Sequence, residues 1–373
     1  MKIEPFGVEQ WMNAWETRAT LNLAETCVDS LTLADLMQIT GATQSTPADL
    51  AAMKMTYGAI RGSDRLRAAV AALHDRQGPD NVLIAHGTIG ANHMVYQALV
   101  APADKVVAIT PTYQQHTAIP RSMGAEVVEV TLREADGWQP DWDALDRLAQ
   151  GAKVIALTNP NNPTGALIEA GGLDRLVAIA RANDAWILCD EVYRGTEQGD
   201  TMPAIADLYA KGISTGSTSK AFSLAGLRLG WIVGPEALLQ GCERHRDYTT
   251  ISVGMIDDYF AAMALENAGA ILERSRGIVR GNLALLRDWV AGEPRVAFVP
   301  PRAGTTALLR VDGMADSYGF CEALIRDTGV MLTPGAVMGM EGYLRIGYAC
   351  APEVLGAGLA RLSDWLAKGA DGL

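Results

Sequence analysis

The chain has 373 residues, of which 49% are hydrophobic, which is enough for a sizeable core and about two domains. Its 31 basic and 43 acidic residues give a net charge of -12, which argues against nucleic-acid binding because phosphate neutralisation needs clustered Lys and Arg. The sequence has no signal peptide, no apolar run that could span a bilayer and only scattered cysteines, so we expect a cytoplasmic protein without membrane contact, disulfide or metal.

Short β-branched runs alternate with helical patterns from about residue 80 to residue 235. The runs are NVLIAHG, KVVAITPTY, AEVVEVTL, KVIALTNP, AWILCDEVY, GISTGSTS and LGWIVGP. This alternation predicts an α/β fold with a mostly parallel central sheet that helices cover on both faces.

The pattern changes after this region. Residues 254–295 have the spacing of one long helix, and the strand-like pieces RVAFVPP, TTALLRV and YLRIGYA then surround a helix near residues 317–328. A last helix, APEVLGAGLARLSDWLAKG, closes the chain. We expect a large domain over residues 40–260 and a smaller α+β domain made from residues 1–39 and 261–373.

Ligands of an open α/β sheet bind at the carboxyl ends of its strands, so the residues there are candidates for function. Gly87, Thr88 and Ile89 form a turn that opens a helix, where free backbone N–H groups and the helix dipole favour a phosphate. Tyr113 follows the next strand and suits stacking on a flat ring. A structural turn and a core aromatic residue are the alternatives for these positions.

Two further strands end in side chains that need polar partners. LTNPNNPTG places two Xaa-Pro bonds and three asparagines after an apolar strand, which indicates that Asn162 points at a polar group. Asp190 follows the apolar residues WILC, so its carboxylate would be partly desolvated and would need a cation or several hydrogen bonds. A helix cap is the alternative for this aspartate.

The stretch STGSTSKAFSLAGLRLGW holds Lys220 among small and hydroxylated residues. A lysine amine attacks carbonyls when its surroundings lower its pKa, whereas Ser217 and Arg228 suit a dianionic phosphate. Pyridoxal phosphate combines an aldehyde, a phosphate, a pyridine nitrogen, a phenolate and a flat ring, so it would use all the candidates together. We therefore expect it as the cofactor.

These motifs resemble the class I/II aminotransferases, a family of fold-type-I pyridoxal-phosphate enzymes. The resemblance runs from about Tyr57 to Arg345, with NPNNPTG, DEVY and STSKAFSLAGLRLG in the order that the family shows. It implies a homodimer with shared active sites. It also implies transfer of an amino group from an L-amino acid to a 2-oxo acid through a Schiff base on Lys220.

The resemblance implies a role for each matching residue. Asp190 would pair with the pyridinium nitrogen, and Arg345 in YLRIGYA would bind the substrate α-carboxylate. Asn162 and Tyr193 would donate hydrogen bonds to the ring oxygen, while Tyr113 would stack on the ring. The phosphate would be bound by Thr88, Ile89, Ser217 and Arg228, and by Tyr57 of the neighbouring subunit.

The N-terminal stretch LNLAETCVDSLTL departs from the family, which often has a glycine-rich loop ending near Glu-Pro at this place. We expect Glu25, Thr26 and Cys27 to line the pocket. Glu25 would then meet a cationic group of the substrate, and a solvated loop carboxylate is the alternative.

Two other functions stay open. A lyase, or a cyclase similar to capreomycidine synthase, would use the same cofactor and change the fate of the substrate. A non-catalytic aminotransferase-like sensor domain is less favoured, because no DNA-binding helices precede residue 30 and the net charge is acidic.

Overall fold

The structure is a computed structural model and describes residues 2–368. Its strands are β1 (Leu21–Asn22), β2 (Val82–Ala85), β3 (Lys105–Thr110), β4 (Glu126–Thr131), β5 (Ala152–Thr158), β6 (Trp186–Asp190), β7 (Gly212–Ser217), β8 (Gly230–Val233), β9 (Val296–Ala297), β10 (Thr306–Val311), β11 (Val330–Met331), β12 (Thr333–Pro334) and β13 (Tyr343–Gly347). Its helices are α1 (Gly7–Trp15), α2 (Leu33–Ile39), α3 (Thr46–Ala52), α4 (Asp64–Ala71), α5 (Gly87–Leu99), α6 (Gln115–Ser122), α7 (Trp142–Leu148), α8 (Ala170–Ala182), α9 (Ile205–Leu208), α10 (Glu236–Arg246), α11 (Met255–Glu266), α12 (Ala268–Gly292), α13 (Ser317–Thr328) and α14 (Pro352–Ala367). Within residues 2–368, none of these helices is both long and apolar enough to cross a membrane.

The apolar runs of the middle of the chain form one sheet, with the strand order β2-β8-β7-β6-β5-β3-β4. Neighbouring strands run parallel, except that β8 is antiparallel to both β2 and β7. Val106 packs into an apolar core on one face of the sheet and Val107 into a second core on the other face. Because both faces are covered, the central strands are continuous apolar runs. The prediction of an α/β fold with a mostly parallel sheet is confirmed.

The C-terminal part builds a second, antiparallel sheet with the order β12-β13-β10-β9. The N-terminal segment joins it, because β1 pairs with β11 and Trp11 and Leu23 share an apolar core with Leu309 and Leu359. Trp11 Nε1 also donates a hydrogen bond to the backbone oxygen of Leu332 over 2.8 Å. Both ends of the chain thus pack together, and the domain boundaries given above stay a prediction.

The expectation of one long helix over residues 254–295 is wrong. Two helices, α11 and α12, occupy this region, and they are separated at Asn267, whose φ is -113° and ψ 26°. The Asn267 side chain donates to the backbone oxygen of Met263 and so ends α11. The second helix then runs from the core beside the central sheet, at Ile271, to the core of the smaller sheet, at Val279.

Gly347, the last residue of β13, packs closely against the N-terminal loop. A Cβ atom at this position would lie 1.7 Å from the backbone oxygen of Glu25, and the Gly347 amide donates to the backbone oxygen of Leu23 over 2.7 Å. Because β13 also carries Arg345, the missing side chain sets how closely two candidate site segments approach each other.

We expect Gly347→Ala to lower the free energy of unfolding by about 1–3 kcal/mol, because the backbone must move to admit the methyl group. Urea unfolding would measure this difference. Gly281→Ala is the matched control, since its Cβ in α12 would meet nothing within 4 Å and helix propensity favours alanine. A Gly347→Ala variant as stable as the wild type would contradict the close packing.

Candidate active site

A cavity of about 370 Å³ opens at the carboxyl ends of the central strands, and residues of α1 and Arg345 of β13 also line it. Parallel strands end at the same edge of a sheet, so residues after β3, β5, β6 and β7 meet there. The cavity is lined by twelve of the residues selected from the sequence: Glu25, Thr26, Thr88, Ile89, Tyr113, Asn162, Asp190, Tyr193, Ser217, Lys220, Arg228 and Arg345. Cys27 and Tyr57 are not among the lining residues, and Tyr57 is 77% exposed.

Asp190 ends β6 and is only 4% exposed. Its Oδ2 accepts a hydrogen bond from Asn92 Nδ2 at 2.9 Å, and its Oδ1 accepts one from the Val192 amide at 3.1 Å. Burial raises the pKa of Asp190 to about 6, although these two hydrogen bonds oppose the change. The sequence indicated a desolvated carboxylate at this position but did not identify Asn92 as its partner.

Arg345 is held in a buried position by neutral groups. Its Nη1 donates to Asn162 Oδ1 at 3.3 Å, and its Nη2 donates to the Ala24 backbone oxygen and to Thr333 Oγ1 at 3.1 Å each. Its Nε has no partner among residues 2–368. Asn162 in turn donates to the Tyr193 hydroxyl over 3.2 Å. The guanidinium is therefore fixed in place while its positive charge stays available to an anion.

Lys220 follows β7 and lies beside the N-terminal loop. Its Nζ is 3.6 Å from Glu25 Oε1 and donates to Cys27 Sγ at 3.4 Å. Glu25 Oε1 also accepts from the amides of Thr26 and Cys27, at 2.7 and 2.9 Å. Burial alone would raise the pKa of Glu25, but Lys220 and these hydrogen bonds lower it to about 2. Glu25 is thus an ionised partner of Lys220 and not a freely solvated loop carboxylate.

The expectation that its surroundings lower the pKa of Lys220 is wrong for this cluster. Burial lowers the pKa of the amine, but the hydrogen bond to Cys27 and the charge of Glu25 raise it. Burial raises the pKa of Cys27 to about 11 and also raises that of Tyr193, so both are neutral at pH 7. Glu25 is therefore the neighbour that stabilises the charged form of Lys220.

Small and cationic residues gather at the start of α5. Gly87 has a φ of +66°, and the hydroxyl of the buried Thr88 has no partner among the described residues. The first amides of this 13-residue helix have no partner within the helix. Arg228 Nη2 would lie 3.2 Å from a Cβ on Gly87, and the hydroxyl of Ser217 accepts from the Ser219 amide. This arrangement suits a dianionic phosphate.

The helix α1 and the turn that follows it also contribute to the cavity, although the sequence did not predict this contribution. Val8, Glu9, Met12 and Glu16 line the same cavity, because their spacing places them along one face of a helix. Glu9 Oε1 accepts a hydrogen bond from the Tyr113 hydroxyl over 2.7 Å. The spacing was visible in the sequence, but nothing local indicated that this helix lies over the sheet edge.

One wall of the cavity is acidic. Glu9, Glu16 and Glu25 all line it, and the pKa of Glu16 is raised by burial and then by the charges of Glu25 and Glu9. Lys220 opposes this change without cancelling it. The other two carboxylates therefore repel that of Glu16, and a cation beside it would relieve this repulsion.

Comparisons with known proteins find relatives that match most of the chain. A family model described as aminotransferase class I and II matches residues 27–362. Capreomycidine synthase of Streptomyces vinaceus is 32% identical over 371 residues, which cover 98% of this chain and 94% of the relative. The arginine–pyruvate transaminase of Pseudomonas aeruginosa is 27% identical over 323 residues, covering 82% of this chain and 81% of the relative. The crystal structure of a PLP-dependent aminotransferase from Streptococcus suis has a TM-score of 0.96 and 38% identity, with 99% of both chains covered.

Proposed function

Because this chain belongs to the class I and II aminotransferase family, whose cofactor is pyridoxal phosphate, we propose that it moves the amino group of a basic L-amino acid to a 2-oxo acid. The observation that carries the proposal is the single cavity in which Lys220, Asp190 and Arg345 meet. An amine, a buried carboxylate and a buried guanidinium are the groups that such a transfer requires.

The side chains of the cavity fit this cofactor. The unpartnered hydroxyl of Thr88, with Arg228 and Ser217, would hold the phosphate, and the amine of Lys220 would bind the aldehyde. The buried carboxylate of Asp190 would hold the ring nitrogen in its protonated form. When bound, the cofactor supplies the electron sink for negative charge that develops at the substrate α-carbon.

The protein's own part is binding, orientation and proton movement. Arg345 would bind the substrate α-carboxylate through paired hydrogen bonds, since Asn162 and Thr333 hold its guanidinium in one plane. Lys220 Nζ would take the α-proton and return it, and Glu25 at 3.6 Å stabilises the ammonium form in between. Side chains of α1 line the cavity and would help to exclude water once the ligands are bound.

The acidic wall supports a basic side chain on the substrate. An amino acid bound through its carboxylate at Arg345 would place an ammonium or guanidinium group within the same cavity as Glu9, Glu16 and Glu25. The arginine–pyruvate transaminase of Pseudomonas aeruginosa is a relative whose name includes a basic amino acid, and this agrees with the charge of the wall.

A dimer is part of the proposal. Tyr57 is 77% exposed and Met55 71% exposed, and Ile60 continues this exposed apolar surface on the same chain segment. A second copy that covers this surface would bury the apolar side chains and bring the Tyr57 hydroxyl to the phosphate site of its partner.

The first prediction tests the reaction itself. We expect holoenzyme given L-arginine and pyruvate to form alanine as the arginine is consumed, measured by mass spectrometry. We expect Lys220→Ala to lose this transfer and the borohydride-reducible attachment of the cofactor, because its amine is the group that would bind the aldehyde. Lys211→Ala is the control, since Lys211 pairs with Asp184 outside the cavity. Unimpaired turnover of Lys220→Ala would sink the assignment.

The same assay distinguishes the second candidate function from transamination. The 32% identity to capreomycidine synthase over 98% of the chain favours a cyclase or lyase that uses the same cofactor. Consumption of a basic amino acid without any amino transfer to pyruvate, together with a cyclised or shortened product, would support that reaction over transamination.

The second prediction of this section concerns the acidic wall. We expect Glu16→Gln to lower kcat/KM for arginine by about tenfold, equivalent to roughly 1.4 kcal/mol, and to leave alanine as donor unaffected. Glu25→Gln should lower the rate with both donors, because Glu25 also contacts Lys220. Steady-state kinetics with the two donors would measure this contrast. A native preference for aspartate or glutamate would rule out the basic substrate.

The third prediction tests the shared site. We expect Tyr57→Phe to weaken cofactor binding by about 1.5–3 kcal/mol, which is the value of a hydrogen bond to a charged group. Tyr318→Phe is the matched control, because it removes a tyrosine hydroxyl on α13 and not one on the exposed apolar surface around Tyr57. Equilibrium dialysis would measure cofactor affinity, and sedimentation would give the oligomeric state. A catalytically competent monomer would exclude the shared site.

A further inference from the structure

The Asp190 carboxylate accepts a hydrogen bond from a side chain that has no role in the proposed function. Asn92 lies in α5 and is fully buried. Its Nδ2 donates to Asp190 Oδ2 at 2.9 Å, and its Oδ1 accepts a hydrogen bond from Thr215 Oγ1 at 2.7 Å. Because Thr215 occupies the amide oxygen, the amide nitrogen is the end that faces the carboxylate. A hydroxyl on β7 thus orients an amide on α5, which orients a carboxylate on β6.

We propose that Asn92 is a positioning residue that, together with Thr215, holds the Asp190 carboxylate ionised and oriented for the ring nitrogen of the cofactor. The inference rests on the proposed role of Asp190 and deepens it. Asn92 acts through Asp190 and needs no contact with the substrate or the cofactor.

The carboxylate depends strongly on this hydrogen bond because it has few others. Among the described residues, the side chain of Asn92 and the amide of Val192 are the groups that donate to it. A buried carboxylate that loses a donor shifts toward its protonated form, and a protonated Asp190 cannot stabilise a protonated ring nitrogen. Removing Asn92 would leave a single backbone donor in a site where burial already raises the pKa of Asp190 to about 6.

The titratable groups around Asp190 are Lys220, Glu191, Cys189, Tyr96 and Tyr113. Burial raises the pKa of the last three, so they stay neutral near pH 7. His116, which contacts the Tyr96 hydroxyl, is neutral as well, because burial lowers its pKa to about 4. Lys220 favours ionised Asp190 and Glu191 opposes it. The neutral donor Asn92 is therefore the partner that a substitution can remove without changing the charge of the site.

The test is the pH dependence of cofactor affinity, measured by equilibrium dialysis of the full-length protein with pyridoxal phosphate between pH 5 and pH 9. In the wild type, affinity should fall as the pH drops through the pKa of Asp190, because protonation removes the partner of the ring nitrogen. We expect Asn92→Leu to move this midpoint upward by about one unit, which weakens binding about twofold at pH 7 and about tenfold at pH 5. Thr215→Val should shift it in the same direction by less, and Thr215→Ser should restore the wild-type midpoint.

Two further variants separate positioning from general damage. Asn282→Leu removes an equally buried amide, whose nitrogen donates to the backbone oxygens of Tyr348 and Cys350 in the smaller domain, and its midpoint should match the wild type. Asp190→Asn should lose the part of the pH dependence that Asp190 contributes, while the part that comes from the cofactor phosphate, whose second pKa is about 6, remains.

A midpoint in Asn92→Leu and Thr215→Val that equals that of the wild type, together with a changed pH profile in Asp190→Asn, would overturn the role of Asn92 alone. A pH profile of Asp190→Asn that equals that of the wild type would overturn the assignment of Asp190 and this inference with it. If Asn92→Leu does not fold, the comparison of Thr215→Val with Thr215→Ser decides the matter, because they differ in the hydroxyl that orients the amide.

Discussion

The parallel register of β5, β6 and β7 is the constraint on which the site depends. β5 pairs with β6 from Val154 opposite Trp186 to Thr158 opposite Asp190, and β6 pairs with β7 so that Asp190 lies opposite Thr215. Three strands therefore end together, and each delivers a polar residue to the same edge. A shift of one residue in this register would turn Asp190 to the other face of the sheet and remove it from the cavity.

Neutral groups hold the two most buried charges of the cavity. Asn92 and a backbone amide hold Asp190, while Asn162, Thr333 and a backbone oxygen hold Arg345. An ion pair in either place would offset the cost of burying the charge, but it would also neutralise the charge that a ligand needs. Neutral partners fix the geometry and leave one negative and one positive charge available. Lys220 differs, because it pairs with the ionised Glu25 at a place where both side chains are partly exposed.

The parts of the molecule that the sequence predicted are those with local signals. Continuous apolar runs predicted the central strands, and the polar residues that follow these strands had to meet at one sheet edge, as Asp190 and Ser217 do. Glu9 and Asn92 had no such signal, because they come close to Tyr113 and Asp190 over 104 and 98 residues of chain. The direction of the Lys220 pKa change also needed the structure, since it depends on a loop that approaches over 193 residues.

The charges that line the cavity are the basis for proposing a positively charged side chain on the substrate. The positive groups are Lys220, Arg228 and Arg345, and the carboxylates are Asp190, Glu9, Glu16 and Glu25. Arg228 would bind the cofactor phosphate, Asp190 would bind the ring nitrogen, and Arg345 would bind the substrate carboxylate. Lys220 pairs with Glu25. Glu9 and Glu16 then remain, and the hydrogen bond that Glu9 accepts comes from the neutral Tyr113. An acidic substrate side chain would add a third negative charge beside them, whereas an ammonium or guanidinium group would neutralise one, and this difference is the reason for proposing a basic amino acid.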